Sequence, residues 1–214
     1  MQTKTQRSRP DQSEPAAPAT PLGTRERIVR TASRLMQRQG YDGTGIKQIS
    51  TEAGATLGSM YHFFPGGKQE LAVAAIRHGD AEFVDILGAV LAAEPDPGAA
   101  IRALTRSLAE GLRASDWIDG CPVTATALGT AAGLPDIQAA AAEAFAHWRE
   151  AVLAKLIEAG LAETDARELA HTVISTLEGA ELAAQVTRSE EPLLLAGTHL
   201  TRLIDTYPRT ADAG

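Results

Sequence analysis

Three features of the 214-residue chain point to an all-α protein of about nine helices, built as a short three-helix N-terminal unit and a larger helical C-terminal domain. Alanine and leucine dominate while aromatics make up only 4%, so the alternating β-branched and aromatic runs of strands are hard to find. Apolar residues recur instead at i, i+3, i+4 and i+7. Glycine and proline punctuate this pattern at intervals of one helix each. A chain of this length can bury a substantial core, either as one domain or as a small domain joined to a larger one.

Residues 1–23 carry Pro10, Pro15, Pro18 and Pro21 among Gln, Ser, Thr and Ala without periodicity, the composition of a disordered leader. Lys4, Arg7 and Arg9 would also suit a basic arm lying in a minor groove, but a Pro-rich polar tail is more commonly a solvated one. The first helix is expected to open at Thr24 as N-cap, bury Ile28, Ala32, Leu35 and Met36 on one face, and stop at Gly40. Two short helices follow, 46–53 capped by Thr44 and 57–63 capped by Thr56, with a tight turn at Gly54 between them. Pro65-Gly66-Gly67 breaks the chain, and Lys68 begins a long helix to about Ala93.

Pro95, Pro97 and Gly98 end that helix, and another runs to about Ala114. Gly120-Cys121-Pro122 introduces a shorter one. Phe145, Trp148, Val152 and Leu156 form a stripe on a helix that starts after Pro135 and ends near Gly160. Two more helices, roughly 165–187 and 190–207, close the fold and leave 208–214 as a tail. No internal repeat is visible.

The formal net charge of −7 hides a division. Residues 1–80 carry +4 and residues 81–214 carry −11, so a polyanion would be drawn to the first part and repelled by the second. Cys121 is the only cysteine, which excludes an intrachain disulfide. The chain has no apolar signal core at its start and no stretch near the roughly 18 apolar residues of a membrane span, so a cytoplasmic location without membrane contact is expected.

Residues 44–64, TGIKQISTEAGATLGSMYHFF, carry the functional signal. Two helices of about two turns, hinged at a glycine with the second one capped, meet the needs of a helix-turn-helix, in which the first braces and the second enters the major groove. Around them Gly40-Tyr41 precedes, Ile49 and Ala53 face inward, and Tyr61, Phe64 and Lys68 follow. In this order the sequence resembles the TetR family: a glycine-aromatic pair, a capped helix, Ala-Gly, a capped recognition helix ending in Y-H-x-F, and a lysine opening the fourth helix. Phe64-Pro65-Gly66-Gly67-Lys68, Gly120-Cys121-Pro122-Val123, Phe145 with Trp148, and Glu178-Gly179-Ala180 look like the LmrA/YxaF branch of that family.

The resemblance implies a ligand-responsive transcriptional regulator, most commonly a repressor, that binds a palindromic operator in double-stranded DNA as a homodimer. It places DNA binding in 24–70 and ligand binding with dimerisation in 71–207. Thr44 and the free N–H groups near Gly45, the Tyr61 hydroxyl, and Lys68 suit phosphates. Thr56, Leu57, Gly58, Ser59 and His62 lie along the recognition helix, where Ser59 and His62 can bond base edges and Leu57 can touch a thymine methyl. Met60 and Phe64 are expected in the core. The chain departs from the family at Gly45, usually Thr or Ser, and at Leu57, commonly Lys.

For the effector, the plausible lining is Trp117, Cys121, Phe145, Trp148, His171, Leu177 and Glu178, a mixture of apolar bulk and few polar groups. The branch implies a small apolar or aromatic inducer, flavonoid-like in character. No cofactor is expected, and no metal either, although His171, Glu178 and Glu181 fall on related helix positions. The last two helices carry Leu169, Val173, Leu177, Ala180 and Ala184, then Leu193, Gly197, Leu200, Ile204 and Tyr207. That is more apolar surface than one core needs, so a twin would pair there as a four-helix interface. Cys121 with His147 or His171 could form a nucleophile and base, but no third orienting group has a recognisable spacing, so an enzyme is not expected. A helical ligand-binding protein without DNA activity is the other alternative, opposed by the positive charge of residues 1–80.

Overall fold

The computed structural model describes residues 22–130 and 133–209. The leader and tail read from the sequence fall almost wholly outside them. Nine helices occupy the described residues: α1 (Thr24–Gly43), α2 (Ile46–Glu52), α3 (Leu57–Phe63), α4 (Gly67–Ala93), α5 (Pro97–Ala114), α6 (Pro122–Leu128), α7 (Pro135–Glu158), α8 (Glu163–Thr187) and α9 (Glu191–Asp205).

The helix boundaries follow local chemistry. Asp96 caps α5 by accepting from the Ala99 amide at 2.7 Å, with Pro97 in the first turn where its missing N–H costs nothing. Gly40 takes φ 69°, as a helix terminator should, but the chain recovers for one more turn to Gly43. Two expected caps are corrected. Gly23, not Thr24, holds the N-cap position of α1, and Gly45, not Thr44, that of α2. Thr44 is turned inward and fully buried, its hydroxyl donating to the Gly40 carbonyl at 2.8 Å, so it closes the preceding helix rather than opening the next.

One hydrophobic cluster runs from Ile28 and Met36 on α1 through Ile49, Met60 and Phe64 to Leu71 and Ile76 on α4, and on through Trp148, Leu156, Leu177 and Ile204. α4 passes unbroken through residue 70, where the sequence placed a domain boundary. α1 packs against α4 and α6 as well as against α2 and α3, which joins the N-terminal unit to the larger bundle through a shared core. In the bundle α4 lies on α7, α7 on α8, and α5 on α9. The α5–α9 approach depends on Gly197, because a Cβ there would collide with the Thr105 hydroxyl.

Among the described residues no helix is long and apolar enough to cross a membrane.

Candidate nucleic-acid interface and internal cavity

The α2–α3 turn is held from three directions. Gly54 adopts φ 60°, which a side chain would resist, and the Ala55 amide returns to the Ser50 carbonyl at 2.9 Å. Ser50 Oγ donates to the Ala55 carbonyl at 2.6 Å. Arg27, reaching across from α1, donates Nε to the Ala53 carbonyl at 3.1 Å and its other nitrogens to the Gly54 and Leu22 carbonyls. Its guanidinium therefore clamps the hinge and is spent there.

At the start of α3 the Thr56 hydroxyl accepts from the Ser59 amide at 3.1 Å and sits 3.0 Å from Ser59 Oγ, so one hydroxyl proton is shared between the two side chains. Met60 and Phe64 point into the core, as expected. The opposite face is open: Thr56, Leu57, Gly58, Tyr61 and His62 are exposed, with Leu57 at 41% and Tyr61 at 53% despite their apolar bodies. The His62 ring rests edge-on against Phe63, 5.0 Å between centroids. Gly45 is exposed at the head of α2.

Cations ring this face. Lys68 Nζ stands 4.3 Å over the Tyr41 ring, which orients the ammonium without neutralising it. Arg25 stacks over Phe64 at 5.3 Å, and Lys47 is exposed on α2. The sequence reading named neither Arg25 nor Lys47. A basic residue on an outward helical position was the available signal, but by itself it did not distinguish them from Arg30 or Arg34. The head of α4 is partly taken, since Glu70 accepts from the Gly66 amide at 2.8 Å, which leaves the Lys68 charge as the main attraction for an anion there.

A cavity of about 350 Å³ opens between α1, α4, α5, α6 and α8. Phe83 and Trp148 meet edge to face at 4.8 Å in its wall, with Ile86 and Leu108 adding apolar surface. The Trp148 indole donates to the buried Asp80 carboxylate at 2.9 Å, and His147 Nδ1 lies 2.7 Å from the other carboxylate oxygen, which fixes the ring. Arg30, Ser33, Arg34 and Gln37 bring α1 itself into the lining. The mouth charges are paired: Arg30 with Glu26 and Arg34 with Glu52, each at 2.7 Å. Arg38 forks onto both oxygens of Asp119 at 2.5 and 2.7 Å, and Gln37 donates to the Gly120 carbonyl, so α1 is tied to the segment entering α6. In that segment Asp116 and Trp117 hold positive φ.

The far wall carries Cys121, Glu178 and Glu181. Burial raises the Glu178 carboxyl above its usual range even though Thr124 donates to it at 2.6 Å. Glu181 is pushed up to about 8 by burial and by the neighbouring Glu178. Burial, then Glu178 and Glu181, raise the Cys121 thiol well above normal, so it remains a thiol whose Sγ caps α6 by accepting from the Thr124 amide.

Residues 28–75 match the family described as bacterial regulatory proteins, tetR family, and residues 97–199 match the LmrA/YxaF-like transcriptional regulator C-terminal domain. The chain is 34% identical to the HTH-type transcriptional regulator YxaF of Bacillus subtilis (strain 168) over 181 residues, 85% of this chain and 95% of that one. It belongs to the TetR family. The HTH-type transcriptional regulator LmrA of the same organism is also 34% identical, over 80% of this chain and 91% of its own. Among solved structures, a TetR transcriptional regulator from Chloroflexus aurantiacus superposes with a TM-score of 0.71 at 27% identity, covering 87% of this chain and 96% of that one. The regulatory protein TetR from Rhodobacter sphaeroides gives 0.75 at 24% identity, with 84% and 97% covered, a likeness of fold. A TetR-family chain is a DNA-binding transcriptional regulator with a helix-turn-helix, from a non-enzymatic family.

Within this TetR-family fold the expected effector residues divide. Cys121, Trp148 and Glu178 come together in the cavity wall. Trp117 does not: it packs on a separate small cluster with Leu112, Ala184 and Leu193. Phe145 lies behind Trp148, 4.9 Å between ring centroids, and Leu177 is buried in the core. His171 is exposed on the outer surface beside Arg149 and Arg167, far from the two acids it was compared with. Among the described residues no group of three His, Cys, Asp or Glu side chains is placed to hold a metal. The α1 and α4 lining escaped the sequence reading because those residues read as helix surface; only the packing of α1 against α4 and α6 makes that surface the border of a cavity.

The apolar residues assigned to a dimer face are also corrected. Leu169, Val173, Leu177, Ala184, Leu193, Leu200 and Ile204 are buried in the protomer's own core. The same helices instead expose Leu182 at 52%, Val186 at 76%, Leu194 and Leu195.

Proposed function

We propose that this TetR-family regulator is a repressor that binds a palindromic operator as a homodimer, and that a small apolar or aromatic ligand entering the cavity releases it. The observation that carries this reading is the double duty of α1, whose Arg30, Ser33, Arg34 and Gln37 line the cavity while its Arg27 clamps the helix-turn-helix hinge. A ligand that pushes on α1 acts on the element that positions α2 and α3. It shifts the DNA equilibrium only by its differential affinity for the two arrangements.

On DNA, α3 lies in the major groove with Thr56, Leu57, Gly58, Ser59 and His62 toward base edges. Tyr61, Lys68 and the exposed amide end of α2 at Gly45 contact phosphates, with Lys47 and Arg25 supplying further charge. Residues 24–70 read DNA, and 71–207 bind ligand and partner. The exposed apolar side chains of α8 and α9 at Leu182, Val186, Leu194 and Leu195 support pairing of these two helices with those of a second copy, which would cover them. Pairing sets two recognition helices about 34–36 Å apart, one helical turn of DNA. The protein acts on chromosomal DNA in the cytoplasm.

Selection of binding sites from random duplexes with the purified protein is expected to return an inverted repeat, and a bound aromatic ligand is expected to lower affinity for it. Recovery of only a single half-site bound by a monomer would overturn the dimeric reading.

A further inference from the structure

We infer that the cavity is built for an organic cation, a flat aromatic amine or quaternary ammonium ion, whose positive charge sits between Glu178 and Glu181 while its rings lie against Phe83 and Trp148. The inference rests on the cavity's being the effector site and names the chemistry of the effector.

Charge pairing around the cavity points to it. On α1, Arg30 and Arg34 are neutralised by Glu26 and Glu52. On α4, His78 and Glu82 face each other at 3.3 Å. Before α6, Asp119 is held by Arg38. Cys121 contributes a thiol, not a charge. Of the acids lining the cavity, only the two on α8, one helical turn apart, have no Lys, Arg or His side chain within ion-pairing distance among the described residues. Glu178 has the Thr124 hydroxyl, and Glu181 has no hydrogen-bond partner there. Both carboxylates are half-buried in the cavity wall, and a cation held between them would replace the water that such a wall withholds. The aromatic edge formed by Phe83 and Trp148 in the same cavity adds a second attraction, since ring faces bind cations and flat π systems alike. A neutral polyphenol would use the rings but leave the acids without a partner.

Binding is proton-linked in consequence. Empty, the pair holds a proton at neutral pH, mainly on Glu181, and the incoming cation expels it to solvent. The cation's affinity therefore rises close to tenfold per pH unit below about 8 and levels off above it.

The test compares 9-aminoacridine, cationic across pH 6–8.5, with the nearly isosteric neutral acridine, by fluorescence titration and calorimetry on the full-length dimer without DNA. Expected for the wild type is about tenfold tighter binding of the cation at pH 7.5, the difference made by one buried charge contact. Proton release approaching one per cavity at pH 7 should show as a buffer-dependent heat. Glu181→Gln and Glu178→Gln should bring the two ligands within about twofold, with acridine unchanged, while Glu82→Gln at the mouth keeps the preference. Equal affinities in the wild type, or a preference untouched by the α8 substitutions, would overturn the inference and leave the effector reading standing. A parallel titration of operator DNA tests the effector reading separately: that reading fails if the cation binds at the acids yet operator affinity does not change.

Discussion

Replacing Glu181 by Gln should alter how the stability of this protein depends on pH. In the folded chain the carboxyl titrates at about 8, against 4.5 for an exposed one. Between those values the folded state keeps a proton that the unfolded chain has lost, so stability falls as pH rises. One such group contributes about 3 kcal/mol at pH 6 and well under 1 kcal/mol at pH 8, a loss on the order of 2 kcal/mol over two pH units. For a chain of this size that corresponds to about 4–8 °C in midpoint temperature. Glutamine keeps the shape and the neutral state at every pH, so the variant should lose this slope and be more stable than wild type at pH 8. Thermal unfolding by circular dichroism at fixed protein concentration, from pH 6 to 8.5, measures both, with concentration held because dimerisation contributes to the midpoint. Parallel curves for wild type and variant would refute the argument, because the proton would then reside elsewhere.

Asp80→Leu strips the acceptor from the Trp148 indole and is expected to destabilise by about 2–3 kcal/mol, seen as a lower denaturant midpoint with unchanged slope. Lys68→Ala should remove one phosphate contact per protomer, flattening log affinity against log salt by about 1.8 for the dimer, whereas His62→Ala should change base preference and leave that slope alone. Val186→Glu with Leu182→Glu places charge on the exposed apolar face of α8; sedimentation is expected to show a monomer that no longer prefers an inverted repeat.

The helices and the recognition face could be read from the chain because their signals are local. Spacing alone separates Met60 and Phe64, turned inward, from Tyr61 and His62, turned outward. Thr44 was misplaced for an equally local reason: the same residue can cap the helix after it or close the turn before it, and the left-handed Gly40 decides for the second. The cavity was legible only in part. Cys121, Trp148 and Glu178 stood out by residue type, but His171, two turns before Glu178 on α8, is exposed beside Arg149 and Arg167 and outside the cavity, a difference set by which neighbour each stretch of α8 meets. The α1 wall depends on contacts some 80 residues apart, such as Arg38 with Asp119, which no window of sequence displays.

The sharing of α1 also bears on how such sensors can be recombined. Residues 28–75 form one recognisable module and 97–199 another, which invites grafting a new operator specificity onto an existing ligand response by exchanging the first. Such a chimera would import foreign side chains at Arg30, Ser33, Arg34 and Gln37, and with them a different chemical selectivity. A transplant that spares the response has to begin after Arg38, at the hinge made by Gly40.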